Sequence, residues 1–148
     1  MPIIYLSFLA AVLNFSKSTF FDTISDGTST EVSAMVTTLE NSSQSNERNA
    51  YLGAIKMKRA GQLKTLADKS KMFKAGKELL ETAISLDHTN VEYRFLRLII
   101  QENAPAILGY SDCIAADAKK VKAGYKTLSE SVKNAVIAYA KTSQNLDL

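Results

Sequence analysis

Residues 70–86 place the tightest constraint on the fold. At about 100° per residue, Met72, Phe73, Ala75, Gly76, Leu79, Leu80, Ala83, Ile84 and Leu86 fall in one half of a helical wheel. Lys74, Lys77, Glu78, Glu81 and Ser85 fill the other half, so the apolar face must pack against a neighbour. Helical periods of this kind recur along the chain, and no run alternates apolar and polar residues as a half-buried strand does. The expectation is an all-α bundle of antiparallel helix pairs, with helices near 29–42, 46–60, 70–86, 90–103, 111–123 and 128–142. At 148 residues and 46% hydrophobic, the chain is long enough to bury one core without metals or disulfides.

Local signals mark the helix ends. Thr28-Ser29-Thr30-Glu31, Thr89-Asn90-Val91-Glu92 and Thr127-Leu128-Ser129-Glu130 each match the capping box, in which hydroxyl and carboxylate satisfy first-turn N–H groups. Pro105 ends the fourth helix, because the residue before a proline is pushed away from helical angles. Gly124 suits a C-terminal cap. Gly53 and Gly76 waste helix propensity unless two helices approach closely there.

The N-terminus bears on destination. Residues 3–15 are uncharged and apolar apart from Ser7 and Asn14. Thirteen residues are too few to span a bilayer and match a secretory h-region, and small Ser16 and Ser18 suit cleavage before Thr19. Export to the periplasm or cell envelope is the favoured reading, and a first core helix of a cytoplasmic bundle is the alternative. The organisation that follows is a signal peptide or hydrophobic segment over 1–18, a polar linker over 19–27 and a single helical domain over 28–148.

The tract Gly76-Lys77-Glu78-Leu79-Leu80-Glu81-Thr82-Ala83-Ile84-Ser85-Leu86-Asp87-His88-Thr89-Asn90 resembles the second half of a tetratricopeptide repeat. Gly76, Leu80 and Ala83 hold the small, large-apolar and alanine positions, and His88 stands where proline is usual. No full repeat of about 34 residues recurs. The span 50–110 is also similar to small exported helical proteins of Bacteroidota. Tyr93-Arg94-Phe95-Leu96-Arg97, Gln101-Glu102-Asn103-Ala104-Pro105 and a Leu-Gly-Tyr turn carry that likeness. The resemblance implies a tetratricopeptide-like helical bundle and export, and it implies no activity.

Candidate functional residues are few. Arg94, Arg97 and Gln101 form a narrow polar stripe on the otherwise apolar fourth helix, able to face an anionic ligand or a partner's acids. An internal pairing of the same arginines is the competing expectation. Glu102 falls inside the apolar arc, so it is expected to be buried and hydrogen-bonded as a structural clasp. His88 reads as a solvent-facing turn residue and Cys113 as a small buried hydrophobe.

One Cys excludes an internal disulfide and multi-cysteine metal sites, and one His excludes paired-imidazole sites. With no phosphate loop, nucleophile elbow or metal-ligand spacing, no catalytic residue, metal or cofactor is expected. Between residues 46 and 80, nine basic residues stand against three acids. Lysines dominate and stacking aromatics are scarce, which argues against nucleic acid as a partner. Any membrane contact is expected only through an uncleaved N-terminal segment. The expected function is a non-catalytic protein-interaction or scaffold module with a protein or peptide partner. The alternatives are a small enzyme using Glu102, His88 or Cys113, and a binder of anionic lipid or nucleic acid through its basic surface.

Overall fold

The computed structural model describes residues 15–148; most of the apolar run 3–15, and with it the export reading, lies outside them. The described residues form seven α-helices and no strand: α1 (Lys17–Asp26), α2 (Ser29–Glu40), α3 (Asn46–Ala60), α4 (Leu66–Leu86), α5 (Val91–Asn103), α6 (Ile114–Gly124) and α7 (Glu130–Ala140). The fold is all-α, as the periodicity requires.

Two antiparallel hairpins organise the bundle. In the first, Asn46 donates to the Ala83 carbonyl, and Gly53 lies against Gly76. A Cβ built on either glycine would stand 2.6 Å from the other's carbonyl oxygen. The α3 and α4 backbones therefore touch, and only glycine permits that approach. In the second, Arg97 meets Asp117 and Gln101 meets Cys113, which sets α5 antiparallel to α6. The core runs continuously through both hairpins. Phe20, Tyr51, Leu80, Phe95, Leu96 and Val136 share it, with Phe73 packed at its edge. Burying each such side chain stabilises by roughly 1.5–3 kcal/mol.

Several local expectations need correction. Lys17–Asp26 is a helix, α1, where a polar linker was expected. Phe20, Phe21 and Ile24 are buried against the core, and the Ser16 hydroxyl accepts from Thr19 N–H as the N-cap. Helix α4 begins at Leu66, four residues earlier than expected, because Thr65 caps it through the Asp68 N–H. Only the first capping box forms: Thr28 and Glu31 bond reciprocally. In α5 the cap is Asn90, which leaves Glu92 free for other partners. At α7 the N-cap residue Ser129 makes no side-chain capping bond, and the Thr127 hydroxyl donates to the Gly124 carbonyl instead. Ala104 takes extended angles before Pro105, and the turn that follows closes on Gly109 at φ 60°, a left-handed angle that suits glycine.

Candidate functional site: an apolar-floored groove and two closed ionic clusters

Helices α1 and α7 lie side by side over α5 and leave a cleft of about 570 Å³ between them. Its floor is apolar and nearly closed: Phe21 from α1 and Ile99 and Ile100 from α5 are each 6–7% exposed, and Phe95 lies wholly buried beneath them. Those α5 positions recur at helical spacing, so one face of α5 serves both the core and the groove. The α7 wall presents Ser131, Asn134, Ala135 and Ala138. Two alanines at this wall supply little side-chain volume, which is why the groove stays open. The α1 wall presents Ser18, Asp22, Ser25 and Asp26.

Tyr139 stands at one end of the groove. Its ring meets Phe95 edge-on, with centroids 5.7 Å apart, and its hydroxyl accepts from the Asn103 amide at 3.2 Å. Burial, aided by the nearby Glu102 charge, pushes the Tyr139 phenol up to about 12.

The sequence-flagged stripe of α5 is placed elsewhere, in the seam with α6. Arg97 is 4% exposed and forks onto Asp117, with Nε to Oδ2 at 2.7 Å and Nη2 to Oδ1 at 2.9 Å. Its Nη1 donates to Glu81 of α4 at 3.0 Å. Arg94 bonds Asp117 and donates twice to the His88 carbonyl. Gln101 accepts from the Cys113 N–H, and Tyr110 donates to Glu81. Burial alone would lower the Arg97 pKa, but the Asp117 hydrogen bonds and the charges of Asp117 and Glu81 raise it above the ordinary arginine value. Burial and Glu81 likewise push the Tyr110 phenol up.

This cluster is saturated. Arg97 uses all three guanidinium nitrogens internally, so it offers no fork to a ligand. The expectation that Arg94, Arg97 and Gln101 meet a partner gives way to an internal clasp joining α4, α5 and α6. The sequence reading passed over Asp117, which lies wholly buried beside Ala118 and one turn before Val121. A carboxylate inside an apolar arc is the same signal that singled out Glu102.

Glu102 itself is half-buried. It accepts from Ser143 at 2.7 Å and from the Asn145 amide at 3.2 Å, and so ties down the C-terminal tail. Leu146, 2% exposed, follows the tail into the core. The partners are neutral donors rather than a cation. Cys113 is the half-buried N-cap residue of α6, and His88 is exposed in the α4–α5 turn. Among the described residues, no hydrogen bond joins Glu102, His88 and Cys113.

A second cluster escaped the sequence reading. Lys17 bridges Glu47 at 2.6 Å and Glu92 at 2.7 Å, and the wholly buried Tyr51 donates its hydroxyl to Glu92. Burial would lower the Lys17 pKa, yet the hydrogen bonds and charges of Glu47 and Glu92 leave it raised. Burial, reinforced by Glu92, drives the Tyr51 phenol far up. Phe15 and Phe20 pack on the Tyr51 ring at 4.9 and 4.7 Å. This cluster clamps α1 to α3 and α5. Nothing short-range in the sequence marks it, because its members are separated by 30 and 41 positions.

No described helix is long and apolar enough to cross a membrane. Comparison with family models, with curated proteins and with solved structures finds no match to this chain, so the groove stands on its own geometry.

Proposed function

We propose that this chain is an exported, non-catalytic interaction module whose binding surface is the groove between α1 and α7. The observation that carries the reading is the groove itself. An apolar floor edged by Phe21, Ile99 and Tyr139, between walls of short side chains that are polar on α1 and half alanine on α7, suits the side chains of a docked protein segment. The ionic clusters support it in another way: they spend their polar groups internally, the Lys17 cluster holding the α1 wall and the Arg97 cluster holding α5 beneath the groove. Stacked antiparallel hairpins with a glycine-to-glycine contact are in keeping with a tetratricopeptide-like architecture, which commonly offers a concave face to peptides. The uncharged run at residues 3–15 supports export.

Photo-cross-linking from both walls tests the proposal. A photoreactive residue at Ser25 or at Ala138, in the cell of origin, is expected to trap the same protein, while one at the exposed Lys119 of α6 traps none of it. Adducts that do not differ between groove and α6 positions would remove the groove from consideration. Fractionation of the same cells checks export: recovery of the chain with cytoplasmic markers contradicts it.

A further inference from the structure

The lip of the groove carries unmatched charge. Asp22 and Asp26 are four residues apart on α1, so both lie on one ridge, with Ser18 a turn earlier. Both are exposed, and among the described residues neither carboxylate takes part in an ion pair or side-chain hydrogen bond. For α1 alone the arrangement is unfavourable. Like charges at this spacing repel, and Asp26 sits in the last turn, at the negative end of the helix dipole, where no basic residue offsets it.

Asp68, Glu78 and Asp112 are likewise exposed without an ion pair among the described residues. Of these unmatched acids, however, only Asp22 and Asp26 line the groove, and many other acids are matched. Glu31 closes a capping box, Glu47 and Glu92 hold Lys17, Glu40 pairs with Lys56, and Glu81 and Asp117 hold Arg97. Locally unfavourable choices that the fold does not offset are expected where a surface serves binding. Lys58 adds one positive charge to the lining, which leaves two carboxylates against one ammonium in a chain whose net charge is +3. The formal charge of the lining therefore opposes the sign of the whole molecule.

Resting on the reading of the groove as a docking site for a protein segment, we infer that the segment is basic. One or two of its apolar side chains sit against Ala135, Ala138 and Tyr139 over the edge of Ile99, and flanking Lys or Arg residues reach Asp22 and Asp26. A volume of about 570 Å³ accepts a few side chains rather than a whole helix, which fits a short anchor with charged flanks. Exposed pairs of this kind contribute modestly to affinity and strongly to selection between partners of opposite charge.

Three labelled peptides of about a dozen residues test this by fluorescence anisotropy on the whole chain. One carries two leucines a helical turn apart with lysines on both flanks; its twin has glutamates on the flanks; the third has the lysines but serines for leucines. The lysine–leucine probe is expected to bind about tenfold or more tighter than either relative, and to weaken as salt is raised. The double variant Asp22→Asn/Asp26→Asn should cost that probe about three- to tenfold, and Ala138→Trp, an exposed position on the facing wall, should abolish its binding.

Equal binding of the two leucine probes, both blocked by Ala138→Trp, would overturn the basic-partner inference and leave the groove as a site. Probe binding indifferent to Ala138→Trp would instead remove the groove reading itself. Concentration-dependent self-association that is lost in Asp22→Asn/Asp26→Asn, and that the lysine–leucine probe fails to compete, assigns the groove to the lysine-rich hairpin of a second copy and also overturns the inference.

Discussion

Asp117 is the residue on which the α5–α6 seam turns. Its carboxylate is 0% exposed and receives both arginines of α5, so its removal leaves the buried Arg97 with Glu81 as its one remaining ion-pair partner among the described residues. Asp117→Ala is expected to lose about 3–5 kcal/mol in urea denaturation, whereas Arg97→Met/Asp117→Leu regains most of that loss, because an apolar pair needs no counter-charge. A single variant within about 1 kcal/mol of the parent would mean that solvent reaches the seam. The sequence made half of this pair legible. A wheel identifies which residues of one helix share a stripe, and so Arg94, Arg97 and Gln101 were visible as a group. It cannot say what stands opposite, twenty residues away, and that partner decides whether the stripe binds a ligand or closes a seam.

Element by element, legibility follows how local the cause is. Pro105 and the Thr28–Glu31 box act within four residues, and both ends form as the sequence indicates. Helix α1 was missed because Ser18, Thr19, Asp22, Thr23 and Ser25 are weak helix formers that read as a linker. Its apolar residues are Phe20, Phe21 and Ile24, and their packing against Tyr51 and Phe95 overrides that propensity. The glycine pair is an intermediate case: the sequence suggests a close approach, and only the structure supplies the register in which Gly53 faces Gly76. Gly53→Ala places a methyl 2.6 Å from a backbone carbonyl oxygen and 2.7 Å from the Leu80 nitrogen, neither of which can swing aside. It is expected to destabilise by about 1–3 kcal/mol, even though alanine returns up to about 1 kcal/mol of helix propensity. Gly61→Ala is the matched control. Its added carbon meets a carbonyl oxygen at 3.4 Å from an ordinary φ of −62°, so its melting curve should stay near the parent's. Equal losses at the two positions would contradict the backbone-contact explanation.

Across the whole molecule, four phenols are raised: the buried Tyr51, Tyr93 and Tyr110 and the half-buried Tyr139, with Tyr51 under α1, Tyr110 against α4 and Tyr139 between α5 and α7. The folded chain therefore keeps protons that the unfolded chain releases near pH 10. Their contribution is fully present below about pH 10 and falls as pH rises, through about 12 for Tyr139. Urea midpoints should therefore drop steeply above pH 10, and Tyr139→Phe should lessen the slope by at most about 1.4 kcal/mol per pH unit between 10 and 12. An unchanged slope would place that phenol in water. Ser16 and Ser18 invite a processing cut before Thr19, yet Phe15, Ser16 and Lys17 already belong to the fold: a ring on Tyr51, the cap of α1, and the cation shared by Glu47 and Glu92. A chain that starts at Thr19 forfeits a cap of about 0.5–2 kcal/mol and leaves the largely buried Glu92 without its ammonium, a further cost of about 1–3 kcal/mol. A chain that starts at Phe15 keeps all three contacts. The first should therefore melt well below the second in matched urea titrations. It should also lose affinity at the groove, since α1 supplies one of its walls. If the two chains instead unfold together, the Lys17 cluster contributes nothing to holding α1, and a cut before Thr19 would cost the fold nothing.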